Sequence, residues 1–470
     1  MTLQGRTVIK VAYTEVNDDN IIDILSKGLA IHLANSTQIC YLFNYYKGIQ
    51  EILKREKTYR KEVNNKLVEN HAEEIVSFKV GYLLNKPIQY IARKESTNAL
   101  ALALLTDYML YENKEGKDKS VAKHQSICGL GYRLTLVNPK FKPDNDESPY
   151  TITTIFPTKA FVIYTDEFDS KPLLGVFIDK IMIEGVEVQR LQAYDDKFKY
   201  TVINNVLVTK EAHTYGDIPL VEYPLNEERM GDFEKVLGLL DAINNVQSNR
   251  LDGVEQFIQS LMVFKNVDLD DENFKKLKEM GAIKIKDNGE LEANVSFLTQ
   301  ELNQQQVQSL KNDLMNVVRT IVGMPTQQDG SKSVSSNNGA MAMSNGWQNA
   351  DIRASETEIM FKDSERRFLR IALRIARALT KNTMNLMLGD IDIKFTRRNY
   401  EDLWVKSQTL TSMLKEPKIA PRLAFVSCGL FPDPEQAYEE SKTHYEDYLK
   451  EQQALLKKKK DNKDDVEVEK

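Results

Sequence analysis

From Trp347 to Leu388 the sequence contains neither glycine nor proline, and Phe361, Phe368, Ala372, Ile375 and Leu379 recur on one helical face. Unbroken, such a helix would run about 60 Å at about 1.5 Å per residue, longer than one compact domain requires. The chain is therefore expected to build something tall. Just upstream, Val307, Leu310, Leu314, Val317 and Ile321 follow a 3-4-3-4 spacing, which defines a narrow apolar seam on a second helix stopped by Gly323 and Pro325. Between the two helices lies TQQDGSKSVSSNNG, whose lone aliphatic is Val334. A run so polar cannot build a core. It is either a flexible surface connection or a functional loop held between rigid supports.

The rest of the chain alternates between helical and strand-like periods. Residues 45–115 read as mostly helical, with Val68, Ala72, Ile75, Val76 and Val80 near one face. From Gly129 to Pro224 the period shifts towards two in segments such as TITTIFPTKAFVIYTD, giving a β-rich unit, antiparallel or mixed. Phe233, Val236, Leu237, Leu240, Ile243, Val254, Phe257, Ile258 and Leu261 then mark a further helix, which Gly238 and Gly253 weaken by about 1 kcal/mol each. A compact insert comes next, in which Asn288-Gly289 suits a hairpin turn and the whole reads as a small α/β lobe. IDIKFTRR is a short strand, helices resume after Asn399 and after Asp433-Pro434, and the charged end KKKKDNKDDVEVEK is expected to be disordered.

Composition narrows the function. No apolar run is long enough to span a membrane, and MTLQGRTVIKVAYTEVNDD has no signal-peptide pattern. Three separated cysteines (Cys40, Cys128, Cys428) argue against a disulfide framework and for synthesis in a reducing cytosol. With 63 basic against 69 acidic residues the formal charge is −6, which disfavours a tight grip on duplex DNA but not a surface that lets DNA pass. There is no phosphate-binding G-x-x-x-x-G-K-[ST] motif, and Gly129 and Gly131 in CGLGYRL lack the third glycine of a dinucleotide site. The five histidines stand alone, and Asp195-Asp196 and Asp270-Asp271 read as turns or caps before they read as ion ligands. No cofactor, metal or catalytic residue is expected. The chain is not expected to be an enzyme.

Two stretches carry a family resemblance. YYKGIQEILKREKTYRKEVNNKLVENHAEEIVSFKVGYLLNKPIQY resembles the N-terminal signature of tailed-bacteriophage portal proteins of the siphophage type. IPLVEYPLNEERMGDFEKVLGLLDAINNVQSNRLDGVEQF resembles their pre-stem and stem segment, and the order of elements matches over most of residues 40–440. The resemblance implies an α+β portal fold with a β-rich wing, a two-helix stem, a small α/β clip, a long wing-to-crown helix and a helical crown, assembling into a ring, usually of twelve. The implied divisions are an N-terminal segment (1–39), wing (40–225), stem helices (226–265 and 302–323) flanking the clip (266–301), tunnel loop (324–346), long helix and wing strand (347–398), crown (399–450) and charged tail (451–470).

It further implies a channel at one capsid vertex of the virion, made in the host bacterial cytoplasm, through which terminase packages double-stranded DNA and through which DNA leaves. Gln327, Gln328, Asp329, Gly330, Ser331, Lys332, Ser333, Asn337, Asn338 and Gly339 would line its constriction, letting double-stranded DNA pass non-specifically. Lys311 and Arg319, taken as exposed positions off the apolar seam, would be channel-facing. Asp268, Asp270, Asp271, Glu272, Lys275, Lys276 and Lys278 would form the clip surface that docks the terminase large subunit and later the head-completion or adaptor protein. Major capsid and scaffolding proteins are the other implied partners, and no membrane is involved. The competing readings are a non-channel structural or scaffolding protein of the virion and, less favoured, a DNA-processing enzyme. The seam from Val307 to Ile321 is expected to pack on the 233–261 helix and on a neighbouring copy.

Overall fold

The computed structural model describes residues 5–467 except 59–60, 94–96, 143–146, 184, 259–260, 266–293, 299–303, 327–345, 381–383, 398–402 and 432. A short strand, β1 (Ile9–Val11), leads into a 26-residue helix, α1 (Ile21–Tyr46). Ile21, Ile24, Leu25, Ile39, Leu42 and Phe43 recur at helical spacing, but the same buried face carries Gly28, His32 and Asn35, which masks the apolar period in the sequence. Gly28 is required by contact: a Cβ there would sit 2.6 Å from Ile163 Cδ1. One continuous helix thus crosses residue 39, so no element boundary separates residues 1–39 from residue 40 onward.

α2 (His71–Leu83), β2 (Gln89–Ala92), α3 (Ala99–Tyr111) and α4 (Lys114–Cys128) come next. Asn98 caps α3 by accepting from the Leu100 and Ala101 N–H groups at 3.0 and 3.2 Å. Gly129, at φ 83°, ends α4 where a Cβ would strike the Arg229 carbonyl. The expected β-rich unit is then built from β3 (Leu130–Val137), β4 (Tyr150–Ile155), β5 (Ala160–Thr165), β6 (Pro172–Ile183), β7 (Val186–Tyr194), β8 (Phe198–Ile203), β9 (Val206–Ala212) and β10 (Leu220–Pro224). One sheet is ordered β1-β5-β6-β7-β8-β9, with β1 parallel to β5 and the other pairs antiparallel; a second is β10-β3-β4.

Beyond β10 lie α5 (Leu237–Ile258), a two-stranded ladder of β11 (Leu261–Lys265) and β12 (Asn294–Leu298), α6 (Gln304–Val322) and α7 (Trp347–Leu379). α7 stops short of the expected Leu388. Thr380 terminates it, its N–H and its hydroxyl both donating to the Ala376 carbonyl at 2.9 and 2.7 Å. The chain then doubles back and buries Met384 and Leu386 beside α7, a packing gain that absence of glycine and proline could not reveal. β13 (Ile391–Lys394) pairs antiparallel with β2, so the strand read from IDIKFTRR is a two-strand ribbon with residues 89–92. The chain ends in α8 (Leu403–Lys415), α9 (Pro421–Cys428) and α10 (Pro434–Glu467). The last is a correction: the charged end, expected to be disordered, continues a helix as far as Glu467. After Pro434 it holds only helix-compatible residues, with no glycine or proline to stop it.

α7 lies across the principal core, where Phe361 and Phe368 are fully buried, each worth about 1.5–3 kcal/mol of apolar burial. It is also bolted to the β10-β3-β4 sheet by a buried ion network. Glu365 Oε1 receives Lys114 at 2.8 Å and the Tyr90 hydroxyl at 2.6 Å, while its Oε2 receives Arg133 at 2.9 Å and the Tyr223 hydroxyl at 3.0 Å. Asp118 joins from α4, bonded to both Lys114 and Arg133. Two cations face two carboxylates, so the buried charges balance. Burial would raise the Glu365 carboxyl, but Lys114 and Arg133 hold it down at about 2.

Candidate functional site

Beyond Thr326 the polar run lies outside the described residues, but both of its ends are defined. Gly323, at φ 69°, closes α6, and the Met324 N–H returns to the Arg319 carbonyl at 2.8 Å. Met324 is buried. At the other end Gly346, at φ 79°, opens α7, and Trp347 rests on the rings of Phe78 and Tyr82 at 6.1 and 6.0 Å. The two ends meet: a Cβ on Gly346 would lie 3.6 Å from Pro325 Cα and 3.8 Å from the Thr326 nitrogen. Residues 327–345 therefore leave and re-enter at one point. A cavity of about 430 Å³ beside this base is lined by Lys79, Asp232, Ile321, Val322 and Arg353.

The insert between α5 and α6 is closed in the same way. β11 and β12 pair antiparallel from Leu261 opposite Leu298 to Lys265 opposite Asn294. Asp268, Asp270, Asp271, Glu272, Lys275, Lys276 and Lys278, the sequence candidates on this insert, lie outside the described residues, as do Gln327 to Gly339. α5 and α6 run antiparallel between the two excursions: Arg250 bonds Gln308 at 2.8 Å, while Leu240 and Ile243 share a core with Met315, Val318 and Val322. One excursion thus emerges between α5 and α6, and the other at the far end of α6.

The seam on α6 differs from the one expected. Leu314 is half-buried, but Leu310, Val317 and Ile321 are exposed, at 49%, 47% and 42%. The residues turned to the core are Met315, Val318 and Val322. Lys311 and Arg319 are accordingly not free exposed cations. Lys311 bonds Glu69 at 2.7 Å and Arg319 bonds Glu74 at 3.2 Å, with side chains only 22% and 15% exposed. The expectation that they are exposed positions off the apolar seam is corrected on that ground.

A strap that sequence reasoning missed holds the helix pair to the body. Asn244, Ser248 and Asp252 lie one turn apart on α5, all buried. Each accepts a backbone N–H from alternate residues of an extended segment: Glu69 to Asn244 at 2.8 Å, Leu67 to Ser248 at 3.0 Å and Asn65 to Asp252 at 2.8 Å. Four helical residues and a strand dipeptide advance by similar distances, about 6.0 and 6.6 Å, so the register holds over two successive steps. Polar residues at i, i+4 and i+8 on an otherwise amphipathic helix were the available signal. The strap ends at His71, whose ring nitrogens contact Glu69 at 3.0 Å and Glu74 at 2.7 Å. Contact with Glu74, then Glu69, raises the His71 value despite burial. Burial works against the charge on Glu69, but Lys311 with Gln247 and His71 holds it below the usual carboxylate range; Glu74 is lowered by His71 first and then by Arg319.

Other chemistry suggested by residue type resolves into structure. Asp195 accepts from the Lys197 and Phe198 N–H groups and the Tyr200 hydroxyl, a turn cap as expected. His124 is packed between Phe43 and Phe156 and pushed down to about 4 by burial. Among the described residues there is no His, Cys, Asp and Glu group able to hold a metal, and no helix long and apolar enough to cross a membrane.

Comparison with known proteins places these features in context. The family model described as "Phage portal protein, SPP1 Gp6-like" matches residues 25–463. A curated portal protein from Bacillus phage SPP1 is 21% identical over 446 residues, spanning 88% of this chain and 84% of the relative. Among solved structures, a chain described as the neck of an empty GTA particle computed with C6 symmetry is similar over 77% of this chain and 90% of its own length, at 12% identity and a TM-score of 0.44.

Proposed function

Because the chain belongs to the SPP1 Gp6-like family of phage portal proteins, structural rather than catalytic components of the virion at the capsid, we propose that it forms a ring, of twelve copies, around a DNA channel at one capsid vertex. In this reading β3 to β10 with the preceding helices form the wing and α5 and α6 the stem. Residues 266–301 form the clip, α7 the long helix, and α8 to α10 the crown and tail. Terminase and later a head-completion protein dock on the clip, DNA enters and leaves through the ring, and capsid and scaffolding proteins surround it. The observation that supports this most is that residues 327–345 begin and end at one point on two rigid helices. Such a segment can project and yield without disturbing its supports, which is what a polar lining around passing DNA requires.

Ring closure needs a repeated contact between copies, and the exposed stripe of Leu310, Val317 and Ile321 supplies an apolar surface that one chain leaves uncovered. Mass photometry followed by negative-stain imaging tests assembly: a 53.9 kDa chain gives twelve copies at on the order of 650 kDa, with a central hole. Deletion of residues 327–338 tests the channel. Rings are expected to persist while DNA packaging fails; unchanged packaging would remove the lining role.

A further inference from the structure

We propose that His71 is a pH-operated clasp, which as an imidazolium ties Glu69 to Glu74 and so holds α6 against the body of the chain, and which on losing one proton lets one carboxylate go. This goes beyond channel formation and does not depend on it. Geometry dictates the charge on the ring. His71 Nε2 stands 3.0 Å from Glu69 Oε2 and Nδ1 stands 2.7 Å from Glu74 Oε2. The remaining oxygen of each carboxylate takes a cation from α6: Glu69 Oε1 receives Lys311 at 2.7 Å, and Glu74 Oε1 receives Arg319 at 3.2 Å. Carboxylates paired in this way are ionised and can only accept, so both ring nitrogens must donate. Only the imidazolium does so. In a neutral ring one nitrogen would turn a lone pair on a carboxylate oxygen, and that contact would open.

The surroundings leave the proton to these two groups. Glu74 on α2 and Glu69 on the strap are the charges that raise His71, and the cations that share those two carboxylates, Lys311 and Arg319, both come from α6. α5 offers neutral amides, Asn244 to the Glu69 N–H and Gln247 to the Glu69 carboxylate. His71 is the first residue of α2, where the helix dipole disfavours a cation, so the carboxylates hold the proton against it. A folded value raised above 6.5 means the clasp is complete below about pH 6.5 and is lost as pH rises through the raised value. Because Glu69 and Glu74 each also grip α6, opening it slackens the helix that separates the two excursions.

Hydrogen exchange of the α6 peptide 304–322 in the full-length protein tests this, comparing wild type with His71→Gln at matched pH so that intrinsic rates cancel. The wild type is expected to be roughly tenfold more protected at pH 6, about 1.4 kcal/mol, with the ratio approaching one by pH 9. Peptides from residues 365–376 should show no such trend. A ratio that stays constant between pH 6 and pH 9 overturns the proposal. Should His71→Gln not fold, Glu74→Gln carries the test, since an amide can face a neutral ring: its α6 protection should fall at lower pH than in wild type, and an unchanged midpoint overturns the clasp.

Discussion

Replacing Arg133 with methionine removes the central cation of the network under α7. The Arg133 and Glu365 side chains are 0% exposed and that of Asp118 is 4% exposed, so the substitution leaves two buried carboxylates with Lys114 as their one remaining cation. It also removes the stacking of the guanidinium over Tyr223 and Phe368, at 4.7 and 4.9 Å from the ring centres. Methionine preserves much of the volume, which isolates the charge effect. Deleting one partner of a buried pair costs about 3–5 kcal/mol, because the other charge is left uncompensated. Urea unfolding followed by circular dichroism should show that loss near pH 7.5. The loss should shrink as pH falls towards 5, since protonation of one carboxylate restores the balance. Adding Glu365→Gln should recover more than half of it, leaving the Lys114–Asp118 pair neutral. A loss under about 1 kcal/mol for Arg133→Met, the range of exposed pairs, would refute the view that this network fixes α7 to the sheet.

Two neighbouring substitutions on α6 separate folding from assembly. Val318→Asp puts a charge at a fully buried position and should destabilise the chain by more than about 4 kcal/mol in the same urea assay, whereas Val317→Asp should leave stability within about 0.5 kcal/mol and abolish rings in mass photometry. Intact rings from Val317→Asp would exclude this stripe from the contact between copies. On the strap, Asn244→Leu leaves the Glu69 N–H without its acceptor and removes the bond to Gln50, and should cost about 1–3 kcal/mol in urea unfolding.

How much of the fold is legible in the sequence depends on where each signal is written. The β-rich unit is clear because β-branched and aromatic residues alternate through it and Gly, Pro and Asp-Asp punctuate it. The approximate place of α7 is clear for the converse reason, an absence of breakers. α1 escapes notice because Gly28, His32 and Asn35 interrupt its buried face, and each is there for a tertiary reason: close approach to Ile163, a bond to the Thr158 carbonyl, and bonds to the Thr7 backbone. The end of α7 is misplaced by sequence alone because burial of Met384 and Leu386, not a local stop signal, turns the chain. The strap is invisible as a contact, since it joins residues 65–69 to residues 244–252 by side chain to backbone bonds that leave no pattern in the strap itself.

The seam on α6 shows how a correct period can still name the wrong face. At about 100° per residue, Leu310, Leu314, Val317 and Ile321 cluster around one direction, and Met315, Val318 and Val322 around another roughly 100° away. The sequence therefore writes two apolar stripes on one helix, and the 3-4-3-4 spacing picks out the more regular. Within a single chain the less regular stripe is buried, because it faces Leu240 and Ile243 of α5. Lys311 lies on that same inner side, which is why it finds Glu69 instead of open solvent. Reading the regular stripe as the inner one places Lys311 outside; exchanging the stripes corrects both errors together. What remains is a heptad-like apolar row facing outward from a helix whose inner face is already covered. A lone subunit gains nothing from that row, whereas a repeated contact around a closed ring would bury it once per copy.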